Sequence, residues 1–588
     1  MPIMQTHARY GLIAPGMMGR AACLLFERLY HTKLFANLLK RQLTGTIAAV
    51  PPMIHSGNPE QAKLAYYGEF AFKSGTLKTG AISPFHVPNL SDALACELNS
   101  FTWLRHLQST DNEISRAHAR RLISDWITTR RQNRSQAWQP HITARRLTSW
   151  LTAAPFYLKN APADFNDKLL GSILTQTTFL AFTAHRTGNA DERLEALIGL
   201  AITTLCFEGK TQLLSKTLAH LKQELHTQIL PDGGHVSRTP SSVLKYLGDL
   251  IILRETMITR NYIVPKSLIS AIDRMLPMLR FFQLGDRGLA YFHGNNEPLT
   301  REVARILGNN PKSGRPLGHA RHSGYQRLDL GKTIIIMDTA QPPSSSPHEN
   351  IHASCLAFEM SCGANRIIVN CGAADDPMSD WYEAACSTAA HSTLTLNEAN
   401  QNFTTKTSLW RKWLSAEPTV AKATSSRSDN DGNIMVEAEH DGYLDRFGLR
   451  HKRTLYLSHK GHDLRGEDIV RQINTGMFAR KPQAQSFAIR FHIHPDVKVT
   501  RSQNTHSVLL LLPDRTGWTF TTAGAELELT ESAYLTGQNS PKRSQQIVLH
   551  GSVKKHAQIK WALKRLDKTK KPKHGKIDEP GYLPLIDV

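Results

Sequence analysis

Apolar residues recur with helical spacing through the first half of the chain. From about residue 84 to 284 they fall at i, i+3, i+4 and i+7, the pattern of amphipathic helices. The predicted helices cover 92–108, 113–131, 143–158, 163–186, 194–228, 241–257 and 266–282. The fifth is too long for one ordinary helix and is expected to split at Glu208-Gly209-Lys210 into an antiparallel pair. Successive hairpins of this number predict a toroid or a solenoid of helix pairs.

The pattern changes after residue 314, where short apolar runs are separated by turn residues. These runs predict strands at 325–329, 333–338, 356–360, 366–369, 392–396, 453–457, 486–494, 507–512, 518–522 and 545–553. Helices followed by strands argue against a doubly wound α/β fold. The predicted fold is multidomain, an N-terminal α/α toroid followed by an antiparallel β-sandwich. Its predicted regions are an extension (1–83), a toroid (84–314), a sandwich (315–560) and a basic tail (561–588).

Composition adds a strong positive charge to an ordinary globular chain. Among 588 residues, 40% are hydrophobic and 21% are charged, which excludes a disordered protein. Lys and Arg number 71 against 50 Asp and Glu, a formal net charge of +21. A surplus of this size favours capture of polyanions, whether nucleic acid, anionic lipid or acidic polysaccharide. Charge alone does not choose among them.

Motif searches are mostly negative. The seven cysteines are odd in number and form no Cys-x-x-Cys pair, so neither a disulfide framework nor a zinc ribbon is expected. Neither GxxxxGK[ST] nor GxGxxG occurs, so nucleotide binding has no support. No clear signal peptide and no apolar stretch of about 18 residues is present, so no transmembrane helix is predicted. Segment 21–39 fits either a membrane-surface helix or a docked helix, and the compartment stays open.

Three runs in order along the chain resemble the heparinase II/III-like family. They are Leu-Pro-Asp-Gly-Gly-His-Val-Ser-Arg-Thr-Pro at 230–240, Asn-Ile-His-Ala-Ser-Cys-Leu-Ala-Phe-Glu at 350–359 and Ala-Ala-His-Ser-Thr at 389–393. Shorter similarities lie at Trp138, Arg145-Arg146, His451-x-Arg453 and 466–468. The resemblance implies the toroid-plus-sandwich fold that periodicity predicts. It also implies a periplasmic or cell-envelope location.

Members of this family cleave uronate glycans by β-elimination, which requires carboxylate neutralisation, a base and an acid. The resemblance implies that His235 and Arg238 bind the uronate carboxylate. Tyr291 is the first candidate for the base or acid, with Tyr246 and Tyr262 as alternatives, and Arg238 is expected to lower the pKa of Tyr291. His352 is the candidate base or carboxylate ligand of the second domain. The alternative is that each of these residues has only a structural role, in a loop or in the core.

The chain departs from the family pattern at three positions, one of which is Ser354, near the place of a family Asp. Asn350 stands where the family carries a His, and Asn370 stands where some relatives use an Asp to hold zinc with His352 and His391. Because an amide is a poor zinc ligand, zinc is disfavoured and no cofactor is expected. Asn350, Arg366 and His391 remain candidate substrate-binding residues. His492 and His494 share a strand face, and Trp103, Trp138 and Trp150 are expected in the core.

Three functions follow from these observations. The first is a polysaccharide lyase acting on a uronate-containing acidic glycan. The second, motivated by the two Asn departures, is a non-catalytic protein that binds an acidic glycan or assembles envelope polysaccharide. The third is nucleic-acid binding, which rests on charge alone and ranks last because no recognition motif supports it. Oligomeric state and glycan identity are left open.

Overall fold

A computed structural model describes residues 47–129, 136–310, 314–341, 352–374, 379–401, 422–473, 483–502, 506–536 and 541–566. Contacts between residues divide the chain into two units. Unit 1 consists of the described residues of Met1–Ile229 and Lys245–Asp273, and unit 2 consists of those of Leu230–Leu244 and Arg274–Val588. The predicted Asn350 site and segment 21–39 lie outside the described residues.

The predicted helical first half is confirmed. Its helices are α1 (Pro59–Tyr66), α2 (Asp92–Ser100), α3 (Leu104–Gln108), α4 (Glu113–Thr129), α5 (Pro140–Tyr157), α6 (Ala163–Thr183), α7 (Ala190–Leu205), α8 (Thr211–Gln228), α9 (Pro240–Thr259), α10 (Lys266–Phe281) and α11 (Thr300–Gly308). A hairpin of β1 (Glu69–Phe72) and β2 (Gly75–Lys78) follows α1. The predicted division of 194–228 is also confirmed, because α7 and α8 separate there. None of the helices in the described part has the length and hydropathy of a membrane span.

One predicted helix is wrong in extent. The segment 92–108 forms two helices because Phe101 adopts a left-handed conformation, with φ of 58°. Its N–H donates to the carbonyl of Leu98 and ends α2 there. Phe101 is fully buried beside Trp103 and Trp150. Packing of this side chain therefore outweighs the helical periodicity of the segment.

Aromatic rings form the core of unit 1. Trp103, Trp138 and Trp150 are at most 5% exposed, which confirms their predicted core positions. Arg146 lies fully buried over the ring of Trp126, 4.1 Å from its centroid. Its guanidinium donates to Gln176 and to the carbonyls of Asn99 and Ala137. These bonds satisfy a charge that would otherwise be costly to bury.

Unit 2 contains two large antiparallel sheets. The strands are β3 (His319–Ala320), β4 (Tyr325–Leu330), β5 (Thr333–Asp338), β6 (Phe358–Cys362), β7 (Asn365–Val369), β8 (Leu394–Leu396), β9 (Ala423–Asn430), β10 (Asn433–His440), β11 (Leu449–Leu457), β12 (Asp463–Gln472), β13 (Gln485–Ile493), β14 (Lys498–Arg501), β15 (Ser507–Leu511), β16 (Gly517–Ala523), β17 (Glu526–Tyr534), β18 (Lys542–Val553) and β19 (His556–Arg565). One sheet has the order β14-β15-β16-β19-β12-β11-β10-β9, and the other has β17-β18-β13-β7-β6-β5-β4-β3, with β8 paired to β13. Two short helices, α12 (Asp380–Cys386) and α13 (Leu444–Phe447), lie between strands.

One hydrophobic core joins both sheets. It contains Ile335 and Phe358 of one sheet together with Val436, Leu455 and Trp561 of the other. Alternate residues of β10 and β12 are buried, as expected for strands with one face in a core. The tail predicted to begin at 561 is therefore wrong at its start. β19 continues to Arg565 because Trp561 and Leu563 are fully buried.

Candidate functional site

The Asp-Gly-Gly loop before α9 is built around the carboxylate of Asp232. Its Oδ2 accepts from the backbone N–H groups of His322 at 2.8 Å and Ser323 at 2.7 Å. Gly233 has φ of 88°, and a Cβ there would lie 2.0 Å from the carbonyl oxygen of Arg274. Only glycine fits this close approach. The motif thus fixes the loop within unit 2 and sets the position of Arg238.

Arg238 is saturated by acceptors of the chain itself. Its five N–H groups face the carbonyl oxygens of Ser323, Gly324, Ala340 and Gln341, the carboxylate of Asp338 and Nε2 of His293. The Nε donates to Ser323 at 2.8 Å, and Nη1 donates to Gln341 at 3.0 Å. The guanidinium is nearly buried and lies over the ring of Tyr325, 4.8 Å from its centroid. Each N–H group of the Arg238 guanidinium therefore already has an acceptor within the protein, and none is free to bind a ligand.

Asp338 is the anion that balances Arg238. It ends β5, is fully buried, and also accepts from Ser354 Oγ at 2.8 Å and lies 3.2 Å from Nε2 of His293. Burial alone would raise the pKa of Asp338, but Arg238 and His293 outweigh it and lower the pKa to about 2. Asp338 is therefore ionised at neutral pH. Sequence reasoning missed Asp338 and His293, and it noted Ser354 only as a departure from the family pattern. The available signal for Asp338 was a lone carboxylate at the end of the apolar run 333–338.

His352 and His391 form a second part of the same buried cluster. Nδ1 of His391 lies 2.8 Å from the carbonyl of Ser387 and must donate to it, so Nε2 of neutral His391 accepts from Nδ1 of His352 at 3.1 Å. The His352 ring centroid lies 6.4 Å from that of His293. Burial lowers the pKa of His391 to about 4 and that of His352 well below its ordinary value. Both rings are neutral at pH 7.

Tyr291 and Arg366 lie in a neighbouring cluster around Glu359. Arg366 binds the Asp286 carboxylate at 2.8 Å, and its guanidinium lies 4.8 Å from the centroid of the Tyr291 ring. Tyr291 also stacks on Tyr534, with ring centroids 5.7 Å apart. Burial raises the pKa of Tyr291 to about 12, although Arg366 opposes that shift. The cation beside this phenol is Arg366, whereas the sequence suggested Arg238.

The remaining candidates are also engaged internally. His235 is 1% exposed, and its Nδ1 accepts from the backbone N–H of Ser237 at 3.2 Å. Tyr246 belongs to unit 1 and is buried, and Tyr262 follows α9. The structure therefore brings Arg238, His352 and His391 towards one buried cluster and holds Tyr291 with Arg366 in another.

The predicted zinc positions do not suit a metal. Asn370 uses its amide nitrogen to donate to the carbonyl of Tyr291 at 2.9 Å, and its oxygen accepts from Ser392 N–H at 3.1 Å. His352 and His391 hydrogen-bond to each other. Within the described ranges, no three His, Cys, Asp or Glu side chains are grouped to hold an ion.

A second buried charge cluster lies on β10, β11 and β12. Arg453 donates to the Asp468 carboxylate at 2.8 Å, and His451 Nε2 lies 2.7 Å from the same group. Nδ1 of His440 accepts from the backbone N–H of Gly442, so Nε2 of neutral His440 donates to Nδ1 of His451. All four side chains are at most 1% exposed. The similarity at 451–453 and 466–468 therefore marks a structural ion pair in the core of unit 2.

Comparisons with known proteins agree with this fold. The family described as Heparinase II/III-like, C-terminal matches residues 312–562. A crystal structure of heparinase III superposes with a TM-score of 0.70 at 13% identity, over 95% of this chain and 92% of that one. A mutant of heparan sulfate lyase HepC from Pedobacter heparinus gives 0.60 at 15% identity, over 96% and 92%. FtsZ-localized protein C of Caulobacter vibrioides is 29% identical over 528 residues, 87% of this chain and 88% of that protein.

The two solved structures show the fold of this chain, which is that of heparinase III and of heparan sulfate lyase HepC. The family match is confined to residues 312–562, so the second half of the chain is similar to the Heparinase II/III-like, C-terminal family. The resemblance inferred from the three sequence runs is confirmed.

Proposed function

We propose that this protein, which has a polysaccharide-lyase fold, binds an acidic glycan. Arg238 and Tyr291 do not act as a carboxylate-binding cation and a base, so they do not cleave the glycan. The observation that carries the proposal is the saturation of Arg238 by the protein's own carbonyls and Asp338. β-Elimination needs hydrogen-bond donors or a cation free to stabilise the charge that develops on the uronate carboxylate in the transition state. Arg238 instead neutralises Asp338. Tyr291, with its pKa raised to about 12, stays a phenol at neutral pH and is a poor base.

The net charge of +21 supports an anionic ligand. The family supports a polysaccharide as the kind of polyanion, whereas no nucleic-acid recognition motif occurs in the sequence. We also infer that the helices of unit 1 form an α/α toroid. Consistent with repeated hairpins, α5, α7 and α9 begin at Pro140, Ala190 and Pro240, at intervals of 50 residues.

The test is a panel of uronate polymers, such as alginate, polygalacturonate and heparan sulfate. We expect salt-sensitive binding to at least one of them and no ultraviolet absorbance from an unsaturated product. Binding should survive His235→Ala, because His235 is buried and bonded within its own loop.

The catalytic alternative is favoured by the fold and the family. It would be established by an unsaturated product that disappears in Tyr291→Phe while binding remains. Absence of both binding and product across the panel would contradict either form of the proposal.

A second function is supported by the name of the Caulobacter vibrioides relative. The match covers most of both chains, so we propose that this protein also associates with FtsZ polymers. We expect the purified protein to sediment with FtsZ in the presence of GTP and to stay in the supernatant with GDP. Equal sedimentation in both nucleotides, or none in either, would contradict this association.

A further inference from the structure

A group of charged side chains in unit 1 lies outside the site described above. Arg145 on α5, Glu195 on α7 and Lys245 on α9 are each the sixth residue of their helix. They are 50 residues apart, as are the starts of the helices. Equivalent positions of three successive hairpins therefore bring two cations and a carboxylate together.

Close helix packing brings the first two side chains into contact. A Cβ at Gly199 of α7 would lie 2.5 Å from the Cβ of Ala144 on α5, so only glycine permits this approach. Arg145 is the neighbour of Ala144, and Glu195 lies one helical turn before Gly199. The close approach therefore positions the guanidinium and the carboxylate.

Glu195 accepts hydrogen bonds from only some of the N–H groups of Arg145 and Lys245. Arg145 binds it through Nε and through Nη2 at 2.9 Å, and Lys245 Nζ donates to it at 2.9 Å. Glu195 is 7% exposed, whereas Arg145 is 32% and Lys245 is 37% exposed. Within the part of the chain that the structure describes, Nη1 of Arg145 has no hydrogen-bond partner. Two cations against one carboxylate leave a net positive charge with N–H groups facing solvent.

Two further side chains border this position. Asp249, one turn after Lys245 on α9, is partly exposed and makes no hydrogen bond to any described residue. His141 lies one turn before Arg145, and its Nδ1 is buried without a hydrogen-bond partner among the described residues. The group thus offers donors from Arg145 and Lys245 beside an uncommitted carboxyl.

We propose that Arg145, Lys245 and Asp249 form a binding site in unit 1 for one uronic acid unit. Arg145 Nη1 and Lys245 Nζ donate to the sugar carboxylate, and Asp249 hydrogen-bonds to a ring hydroxyl. Glu195 is a positioning residue that holds both cations in place. This inference rests on the proposed function, because it assigns part of the acidic-glycan binding to named residues.

Binding at this site is expected to weaken as the pH rises through about 7. Burial and the neighbouring Glu195 carboxylate raise the pKa of Asp249 to about 7, although Lys245 and Arg145 oppose the shift. Below that pH Asp249 is neutral and the group keeps its positive charge. Above it, Asp249 becomes an anion beside the bound carboxylate. His141, whose pKa burial lowers to about 4, stays neutral throughout this range.

The test is calorimetric titration of the full-length protein with a tetragalacturonate probe. Lys245→Met should weaken binding about tenfold or more, because it removes a charge-assisted hydrogen bond. It leaves Glu195 paired with Arg145, so the fold is retained. Lys168→Met is the matched control, since Lys168 lies in the same unit on an exposed pair with Asp164. It removes the same charge and should leave the affinity nearly unchanged.

Asp249→Asn supplies a second readout that a structural role would not change. The wild-type affinity should fall between about pH 6 and pH 8, whereas the variant should show no such fall. Wild-type binding that Lys245→Met leaves intact would overturn this site while the proposed function stands. Failure of the wild-type protein to bind any uronate polymer would instead overturn the proposed function.

Discussion

Arg238→Met is expected to destabilise unit 2 by about 3–5 kcal/mol, the cost of leaving a buried charge without its partner. The physical reason is that Asp338 is fully buried and ionised, and Arg238 is its cationic partner. Four backbone carbonyls lose a donor at the same time. Urea denaturation followed by hydrogen exchange of β4 and β5 would measure the loss where it arises.

Two further variants test whether the loss of stability comes from the unpaired Asp338 or from the removal of any positive charge. Arg543→Met removes a cation from an exposed pair with Glu531 on β17 and should leave the urea midpoint unchanged. Adding Asp338→Asn to Arg238→Met removes the unpaired anion and should restore part of the lost stability. If the double variant is no more stable than the single one, an uncompensated Asp338 is not the cause.

The Arg238→Met variant also tests whether Arg238 binds the glycan. In a catalytic site, the Arg238 guanidinium would have N–H groups free to bind the substrate carboxylate. Here its donors are already committed, so the variant is expected to lose stability without a specific change in glycan affinity of the folded fraction. A large loss of affinity in folded protein would restore Arg238 as a ligand-binding residue.

The spacing of apolar residues was sufficient to predict whether most segments form helices or strands. The spacing of apolar residues predicts α5 and α7, and the Glu208-Gly209-Lys210 interruption predicts where the α7–α8 hairpin turns. It fails at Phe101, because burial of this ring selects a left-handed backbone that no helical periodicity encodes. β12 was missed because its charged residues hide the alternation of buried positions, and β9 was missed because none of its residues is fully buried.

The site could be predicted in part only. The Asp-Gly-Gly run correctly indicates a specialised loop, since Gly233 and Asp232 are required by its geometry. The partner of Arg238, however, is Asp338, 100 residues away in sequence. Whether an Arg is free or saturated depends on such distant acceptors, and a single sequence does not reveal them. The same limit applies to Arg145, Glu195 and Lys245, whose common spacing becomes evident once the helix starts are known.

Lowering the pH from 7 to 5 is expected to destabilise unit 2 strongly. Burial lowers the pKa of His391 to about 4 and that of His492 to about 3, and it also lowers the pKa values of His352 and His440. In the unfolded chain these rings titrate near 6.5. Below that pH the unfolded state therefore binds more protons than the folded state, so stability falls as the pH falls.

At pH 5 the loss is about 2 kcal/mol for each of His391 and His492, with His352 and His440 adding to it. The total approaches the whole stability of an ordinary domain. Urea midpoints of the full-length protein at several pH values, read by hydrogen exchange in β8 and β13, would measure it. The buried Asp338 adds a further loss only below about pH 4, where its unfolded form takes up a proton while the folded carboxylate stays ionised.

The hydrogen bonds of the buried rings explain why protonation is so unfavourable. His492 donates from Nε2 to the carbonyl of Ala389 at 3.0 Å, while its Nδ1 accepts from Ser532 Oγ at 2.8 Å. A proton on Nδ1 would make the Ser532 hydroxyl rotate to accept, and it would place a charge without an anionic partner in the core. His492→Gln should therefore reduce the pH slope by nearly one proton. A midpoint that does not change between pH 7 and 5 in the wild-type protein would mean that these rings are not kept neutral by burial.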